Sequence, residues 1–332
     1  MDNQERSLRF GAALIASALL LRLTCSGLLQ SVAKFLYQPN IASALIYLET
    51  GRHVRFSQSS EEIPAFSSES PLPDFARESS LPVFQAADLE QLQIKYNCSR
   101  QPDLNDLISR PLEWDLTSGE PTVLILHTHA TESYTRQSGE SYEESSAYRT
   151  LDEQYNMISI GDRLAELLEA GGIQVIHDRT LHDYPSYSGS YNHARKSAAA
   201  YLEAYPSIQL VLDLHRDASG DNRNQMKTRV QTQGKSTAGL MLVVGTNASG
   251  LAHLAWEENL SLALKLHVQL DRIAPGIMRY VNLRSQRFNQ DLSPGMLLVE
   301  VGAAGDSHQD AITAAEFLAS AILSLAEGSA SG

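Results

Sequence analysis

The side chains best suited to chemistry in this 332-residue chain stand directly after an apolar run. His127, His129 and Glu132 follow residues 123–126, which the pattern predicts to be a buried strand. Parallel strands of α/β proteins are apolar on both faces, and functional groups collect at their carboxyl ends. Because zinc binds imidazole nitrogens and carboxylate oxygens, this strand end is a candidate zinc site.

Two further apolar runs carry polar groups. His215 and Arg216 follow residues 208–214, and Glu300 is a single carboxylate within the run 296–301. A buried carboxylate without a partner is costly, so Glu300 should face a cation or its bound water. The alternative is an ion pair of Glu300 with Arg216 or with Arg284.

Catalytic zinc commonly takes three protein ligands and leaves one position for water. His129 and Glu132, three residues apart on a tight turn, could reach one ion, and His215 would complete the set from a neighbouring strand. His127 is an alternative ligand or a supporting group, since an alternating pleat would point His127 and His129 the same way. Asp152, at the start of the first long helix, is a rival third ligand.

This constellation favours hydrolysis. Zinc lowers the pKa of a bound water from about 15.7 toward about 7. Glu300 would accept the proton of that water and later return it to a leaving amine, and Arg216 could help to stabilise the developing oxyanion. Asp213 is expected to orient a ligand rather than to be one.

Strands that alternate with helices must position these residues. Beyond residue 121, short apolar runs alternate with helical periodicity at residues 155–170, 191–205, 251–273 and 309–326. The alternation predicts an α/β domain with a mostly parallel or mixed sheet and helices on both faces. An additional edge strand is expected near residues 92–96.

The N-terminal part of the chain has a different character. Residues 8–29 are apolar and long enough to span a bilayer, although Arg22 would cost about 2.5–3.5 kcal/mol at a helix centre. An uncleaved single-span anchor is the first interpretation; a cleaved signal peptide and a soluble amphipathic helix are the alternatives. The sequence thus predicts a transmembrane anchor at 1–30, a juxtamembrane segment and Ser/Pro-rich linker at 31–89, and a hydrolase domain at 90–330 outside the cytoplasm.

Composition excludes several classes of protein. The formal net charge of −13 has no long run of one sign, which argues against a nucleic-acid partner. Cys25 and Cys98 lack CxxC spacing, so neither a disulfide framework nor a cysteine zinc site is expected. The chain also has no Gly-rich phosphate loop and no GxSxG nucleophile elbow.

Four segments resemble the stage II sporulation protein P family. They are VLILHTHATESY at 123–134, residues 156–178, DLHRDA at 213–218 and LVEVG at 298–302. The resemblance covers roughly residues 90–325 together with the order of anchor and linker. It implies a membrane-anchored peptidoglycan hydrolase of endospore-forming bacteria, with a fold related to zinc N-acetylmuramoyl-L-alanine amidases and zinc exopeptidases.

The resemblance also implies an activity and partners. The expected reactions are Zn²⁺-dependent cleavage of the muramoyl–L-alanine amide and of stem-peptide cross-links during engulfment of the forespore. The expected partners are peptidoglycan, a glycan hydrolase and a membrane scaffold protein. A histidine of the HTH string and His215 would bind the metal, and Glu300 would match the catalytic glutamate of the amidases. The related amidases take an acidic ligand from near the start of the first helix, where this chain has Asp152 and Glu153, so the acidic ligand stays open.

Two other functions compete with this interpretation. One is a zinc exopeptidase that acts on soluble peptides, which a pocket closed at one end would favour. The other is a non-catalytic scaffold that binds the cell wall. An open groove would favour the wall hydrolase.

Overall fold

A computed structural model describes residues 83–218, 220–221 and 224–327. The strands within these residues are, in chain order, β1 (Ile94–Asn97), β2 (Pro121–Leu126), β3 (Glu144–Ser146), β4 (Arg149–Thr150), β5 (Gln174–His177), β6 (Leu210–Asp217), β7 (Gly220–Asp221), β8 (Asn224–Gln225), β9 (Val230–Thr232), β10 (Lys235–Thr237), β11 (Leu240–Gly245), β12 (Met278–Arg284) and β13 (Met296–Ala303). The helices are α1 (Leu104–Ser109), α2 (Met157–Ala170), α3 (Ser190–Ala204), α4 (Trp256–Ile273) and α5 (His308–Glu327), with short 3-10 helices at Ala86–Gln91 and Gln290–Leu292.

Seven of the strands described form one sheet in the order β1-β12-β11-β13-β6-β2-β5. Neighbouring strands run parallel except β11 and β13, which are antiparallel. The predicted α/β fold with a mostly parallel, mixed sheet is therefore confirmed. The antiparallel pair divides the sheet into two parallel blocks of opposite direction.

The alternation of side chains along β2 separates the two faces of the sheet. Val123 and Ile125 pack into the large core beneath α1, α2, α4 and α5. Leu124 and Leu126 point to the opposite face, where they pack against Ala194 and other residues of α3. Helices thus cover both faces, but α3 packs only over the β2 end of the second face.

Local sequence signals place helix α2, which follows the candidate zinc-binding turn. The Asn156 side chain accepts a hydrogen bond from Ile158 N and caps the first turn. Met157, Ile160 and Leu164 recur on one face and are fully buried. The helix ends at Gly171, and Gly172 adopts a φ of 89°, which glycine permits without strain. The helix matches the predicted segment to within two residues at its start.

The predicted N-terminal anchor, the juxtamembrane segment and most of the linker lie outside the described residues. Among the residues that are described, no helix is long and apolar enough to cross a membrane. The anchor at 1–30 and the boundaries of the three segments stay predictions.

Candidate metal and hydrolytic centre

The turn after β2 brings His129 and Glu132 to the carboxyl end of the sheet. Glu132 N donates a hydrogen bond to His129 O at 3.2 Å, which closes the turn. The His129 ring packs edge-on against the His215 ring, with 5.3 Å between the ring centroids. Both histidines are buried, and His129 Nδ1 has no hydrogen-bond partner in the part of the chain that the structure describes. The turn and the end of β6 therefore place these two imidazoles side by side.

Glu132 lies between His215 and Arg216. Glu132 Oε2 is 3.8 Å from His215 Nδ1 and accepts a hydrogen bond from Arg216 N at 3.2 Å. Arg149 donates to Glu132 Oε1 at 3.3 Å. Burial alone would raise the pKa of the Glu132 carboxyl, but Arg216 and the nearby histidines outweigh burial and lower it. Glu132 is therefore held as a carboxylate next to both histidines.

Asp213 supports His215 from two residues earlier in β6. Asp213 is fully buried and accepts hydrogen bonds from Thr128 N at 2.8 Å and Thr128 Oγ1 at 2.6 Å. Its Oδ1 lies 3.1 Å from His215 Nε2, although the ring orientation leaves that nitrogen without a well-formed hydrogen bond. Burial would lower the pKa of His215, but Asp213, Glu132 and Glu300 outweigh burial and raise it to about 9. The surrounding carboxylates thus favour a positive charge at this position.

Glu300 projects from β13 toward the same face as His215. The two residues are register partners on neighbouring parallel strands. Glu300 Oε2 is buried without a hydrogen-bond partner, and within the described residues the carboxyl forms no ion pair with Arg216 or Arg284. Burial, together with Glu132, raises the pKa of Glu300 to about 8 despite the opposing effect of His215. The position suits a group that exchanges a proton near neutral pH.

The raised pKa of Glu300 predicts a pH-dependent cost to stability in metal-free protein. The folded-state pKa of about 8 exceeds the unfolded value of 4.5, so the folded state binds the extra proton and stability falls as pH rises between these values. Glu300→Gln removes this titration. We expect the free energy of unfolding of the variant to increase by about 1–3 kcal/mol relative to that of wild type when the pH is raised from about 5 to about 8.5. Urea unfolding at the two pH values, with chelator present, measures the gain.

Glu143→Gln is the matched control, because Glu143 is exposed in a loop. It should unfold like wild type at both pH values. If the Glu300→Gln variant and wild type differ by the same amount at both pH values, Glu300 does not titrate in this range.

His127 does not join His129, because β2 ends at Leu126 and the chain turns at residue 128. The expected alternation of a pleat therefore does not reach these histidines. His127 Nε2 shares a 2.8 Å hydrogen bond with His177 Nε2, and His127 Nδ1 lies 3.3 Å from Leu214 O. Both ring nitrogens of His127 thus have partners away from the His129 ring.

Asp152 and Arg216 also have contacts that bear on their predicted roles. Asp152 accepts a hydrogen bond from Gln154 N in its own turn. Arg216 Nε donates to Ser133 O at 3.0 Å, and its Nη1 lies 3.5 Å from Glu132 Oε1. Because His215 and Arg216 are adjacent in a strand, their side chains leave opposite faces. These contacts favour a positioning role for Arg216.

Several residues of the site were not anticipated from the sequence. Tyr187 stacks on His129 with 4.5 Å between ring centroids, and Tyr191 contacts both His129 and His215. Asp183 accepts hydrogen bonds from Thr131 and Arg149 and so ties down the turn that carries Glu132. The tyrosine-rich segment at 184–191 is the signal that could have revealed the aromatic wall.

The donor set fits zinc in its chemistry. Two buried imidazoles and a carboxylate lie side by side, His129 Nδ1 has no hydrogen-bond partner among the described residues, and zinc binds these donor types. The carboxylates around His215 favour a cation, as its raised pKa indicates. As placed, however, no three His, Cys, Asp or Glu side chains of the described residues form a ready-made metal cluster. Rotation of the rings would be needed to converge their nitrogens on one ion.

A cleft of about 250 Å³ opens beside Glu300 on the face that α3 leaves uncovered. Its floor is formed by β1, β12, β11 and β13, and Tyr191 stands at its edge. Glu300 thus faces both the histidine pair and a space of this size, which could hold part of a peptide or sugar.

The described architecture is that of an α/β protein with a polar centre at the carboxyl ends of its strands and an adjoining cleft. Residues 51–323 match the family model described as stage II sporulation protein P (SpoIIP). The chain belongs to this family of sporulation proteins. The match confirms the resemblance stated from the sequence.

One curated relative and two solved structures illustrate the similarity. Stage II sporulation protein P of Bacillus subtilis (strain 168) is 28% identical over 208 residues, which are 58% of this chain and 48% of the relative. The chain thus spans about half the length of that relative. The CwlD amidase from Clostridioides difficile, solved in complex with the GerS lipoprotein, is 16% identical, with 61% of this chain and 94% of that chain covered and a TM-score of 0.38. The N-acetylmuramyl-L-alanine amidase Ami1 from Mycobacterium smegmatis is 13% identical, with 63% and 95% covered and a TM-score of 0.35.

Proposed function

We propose that the chain is a zinc-dependent peptidoglycan hydrolase that cleaves the N-acetylmuramoyl–L-alanine amide and stem-peptide cross-links. One observation carries the proposal: His129, Glu132 and His215 lie together beside Glu300, at the strand ends that border a cleft. Membership of a sporulation-protein family supports a substrate in the cell wall.

His129, His215 and Glu132 would hold the metal, and Glu300 would handle the proton. Zinc, when bound, supplies a Lewis acid and activates a water molecule. Glu300 Oε2 would accept a proton from the attacking water and donate it to the leaving amine. A carboxyl whose pKa lies near the working pH is suited to both steps, and the pKa of Glu300 is raised to about 8 by burial.

The residues around the ligands would keep them in place. Asp213, anchored by Thr128, sets the position of the His215 ring. Arg216 and Arg149 hold the Glu132 carboxylate from two sides. Such outer contacts fix ligand orientation and commonly change metal affinity by about 10–100-fold.

Tyr187 and Tyr191 would form the wall of the centre on the side of α3. Tyr187 stacks on His129 and also lies against the Arg149 guanidinium, 4.9 Å from the ring centroid, while the residue as a whole is 59% exposed. An exposed ring at a reaction centre can pack against a sugar and exclude water from one side.

The cellular setting follows from the same proposal. The apolar stretch at 8–29 would anchor the chain in the membrane, and the linker that follows would let the hydrolase domain reach an immobile polymer outside the cytoplasm. The substrate would be peptidoglycan during forespore engulfment, with a glycan hydrolase and a membrane scaffold protein as partners.

The direct test incubates the purified full chain with sacculi and identifies the soluble products by mass. We expect free stem peptides from amidase cleavage and shortened cross-links from endopeptidase cleavage. A zinc chelator should abolish both, because the proposed chemistry needs the metal, and added zinc should restore them.

Other outcomes of the same experiment would support a different function. Undiminished hydrolysis in chelator would contradict the metal requirement. Binding to sacculi without any released product would instead support a wall-binding scaffold. Hydrolysis of soluble peptides but not of sacculi would support the exopeptidase interpretation.

A further inference from the structure

We propose that the end of the cleft distant from Glu300 binds a free carboxylate of the substrate peptide through Lys95 and Arg284. The inference rests on the proposed function, since it concerns how the same centre selects its substrate. It assigns specificity to residues of β1 and β12, which hold no part of the hydrolytic centre.

The cleft carries opposite charges at its two ends. Glu300 and Asp217 line the end next to the histidines, whereas Lys95 and Arg284 line the other end. Met241 and Val243 of β11 form the apolar floor between them. A substrate bound along this floor would have one end next to the carboxylates and the other end next to the cations.

The two cations have no acidic partner within ion-pair distance among the described residues, although the chain carries a net charge of −13. Arg279, which precedes Tyr280 on the same strand, shows the usual arrangement, with its Nη2 2.9 Å from Asp217 Oδ2. Lys95 instead lies 5.4 Å above the Tyr280 ring, and Arg284 lies 5.9 Å from the Phe288 ring. Aromatic rings hold a cation in place without neutralising it, so both charges remain available to an anion.

The strand pairing fixes the separation of Arg284 from Glu300. Glu300 pairs with Met241, and Arg284 pairs with Gly245 four residues farther along β11. Two strand spacings across and four residues along correspond to about 10 Å and about 13 Å, or about 16 Å between backbone positions. An extended peptide covers about 3.3–3.6 Å per residue. Allowing for part of the reach of the arginine, the bound carboxylate would be the C-terminal one of a peptide that extends about four residues beyond the cleaved amide.

A pair of asparagines provides backbone recognition between the two ends. Asn97 Nδ2 donates to Asn282 Oδ1 at 2.7 Å. The bond fixes both amides and leaves the Asn282 N–H groups and the Asn97 carbonyl for other partners. An extended peptide presents the matching N–H and C=O groups, which a bare inorganic anion does not.

The test compares two N-acetylmuramoyl tetrapeptides that differ only at the C-terminus, a free carboxylate or an amide. We expect wild-type full chain to cleave the acid with a KM about tenfold lower than the amide, because a charge-assisted hydrogen bond is lost with the carboxylate. Arg284→Gln should raise KM for the acid about threefold, leave kcat within about twofold, and leave the amide unchanged. Lys95→Gln should act in the same direction, and the double variant should abolish the preference.

Arg100→Gln is the matched control, since Arg100 is exposed and does not line the cleft. Equal cleavage of both substrates by wild type would overturn the inference while the proposed hydrolysis stands. If the protein cleaves neither substrate, calorimetric titration with the two free tetrapeptides tests the carboxylate site on its own. Tighter binding of the acid without cleavage would support the carboxylate site and overturn the proposed hydrolysis. Equal binding of both peptides without cleavage would overturn both proposals. Thermal unfolding of each variant identifies loss of fold. Arg284→Lys keeps the positive charge and should therefore retain part of the preference for the acid.

Discussion

The Glu300→Gln variant is expected to lose hydrolysis of sacculi by a factor of about 10³ while it keeps its zinc. Glutamine has nearly the same size and shape as glutamate but cannot accept a proton from water. Glu300 shares its face and register with His215, yet its Oε2 has no hydrogen-bond partner within the described residues. The substitution therefore removes the proposed proton acceptor and leaves the proposed ligands in place.

The measurements are product release and metal content on the same sample. Glu143→Gln, an exposed glutamate in a loop, controls for loss of a carboxylate elsewhere and should behave as wild type. Normal turnover by the Glu300 variant would exclude Glu300 as the base. Loss of both zinc and activity would make Glu300 a ligand, which would leave Glu132 with a supporting role. The gain of stability predicted for the same variant at high pH separates loss of chemistry from loss of fold.

The sequence predicts the α/β fold well because periodicity reports local burial. Helix α2 has its apolar residues at helical spacing, and β2 and β6 are continuous apolar runs, as buried parallel strands should be. Strand direction is not encoded in this way. β11 and β13 read as the same kind of apolar run, but they lie antiparallel because their direction depends on the connections between them.

The sequence predicts the composition of the centre better than its geometry. His129, Glu132 and His215 could be selected because polar residues at strand ends are conspicuous. The separation of His127 from His129 could not be predicted from the sequence, because it depends on where β2 ends. The departure of the Arg216 and His215 side chains from opposite faces of the strand does follow from its two-residue period, and that argument was available from the sequence.

The cleft illustrates contacts that the sequence does not report. Lys95 and Asn282 become neighbours because β1 adds to β12 at the edge of the sheet. Nearly two hundred residues of chain separate them, and neither stands at the end of an apolar run. Only the pairing of the edge strand shows that these side chains share a surface with Glu300.

The His215→Ala variant is expected to lose zinc and, with it, hydrolysis. One ligand of three contributes a large share of the binding free energy, so affinity should fall by about 10²–10³-fold. The loss also leaves Asp213, Glu132 and Glu300 without the imidazole whose pKa they raise to about 9. In metal-free protein that raised pKa stabilises the fold fully below the unfolded value of 6.5, and the benefit is lost as pH rises through about 9. The variant should therefore be less stable than wild type at neutral pH, and the difference should shrink in alkaline solution.

Metal content after dialysis against a weak chelator tests the assignment, with His253→Ala as the matched control. His253 is as buried as His215 but lies after β11, away from the centre, and neither of its ring nitrogens has a hydrogen-bond partner among the described residues. Its removal should leave zinc and activity intact. Full zinc occupancy in a folded His215→Ala variant would mean that the ion sits elsewhere. Within the described residues, His127 and His177 form a second pair of imidazoles in contact, with their facing nitrogens 2.8 Å apart. Zinc retained by His215→Ala and lost by His177→Ala would therefore place the metal at that pair and leave His129 and Glu132 to bind substrate.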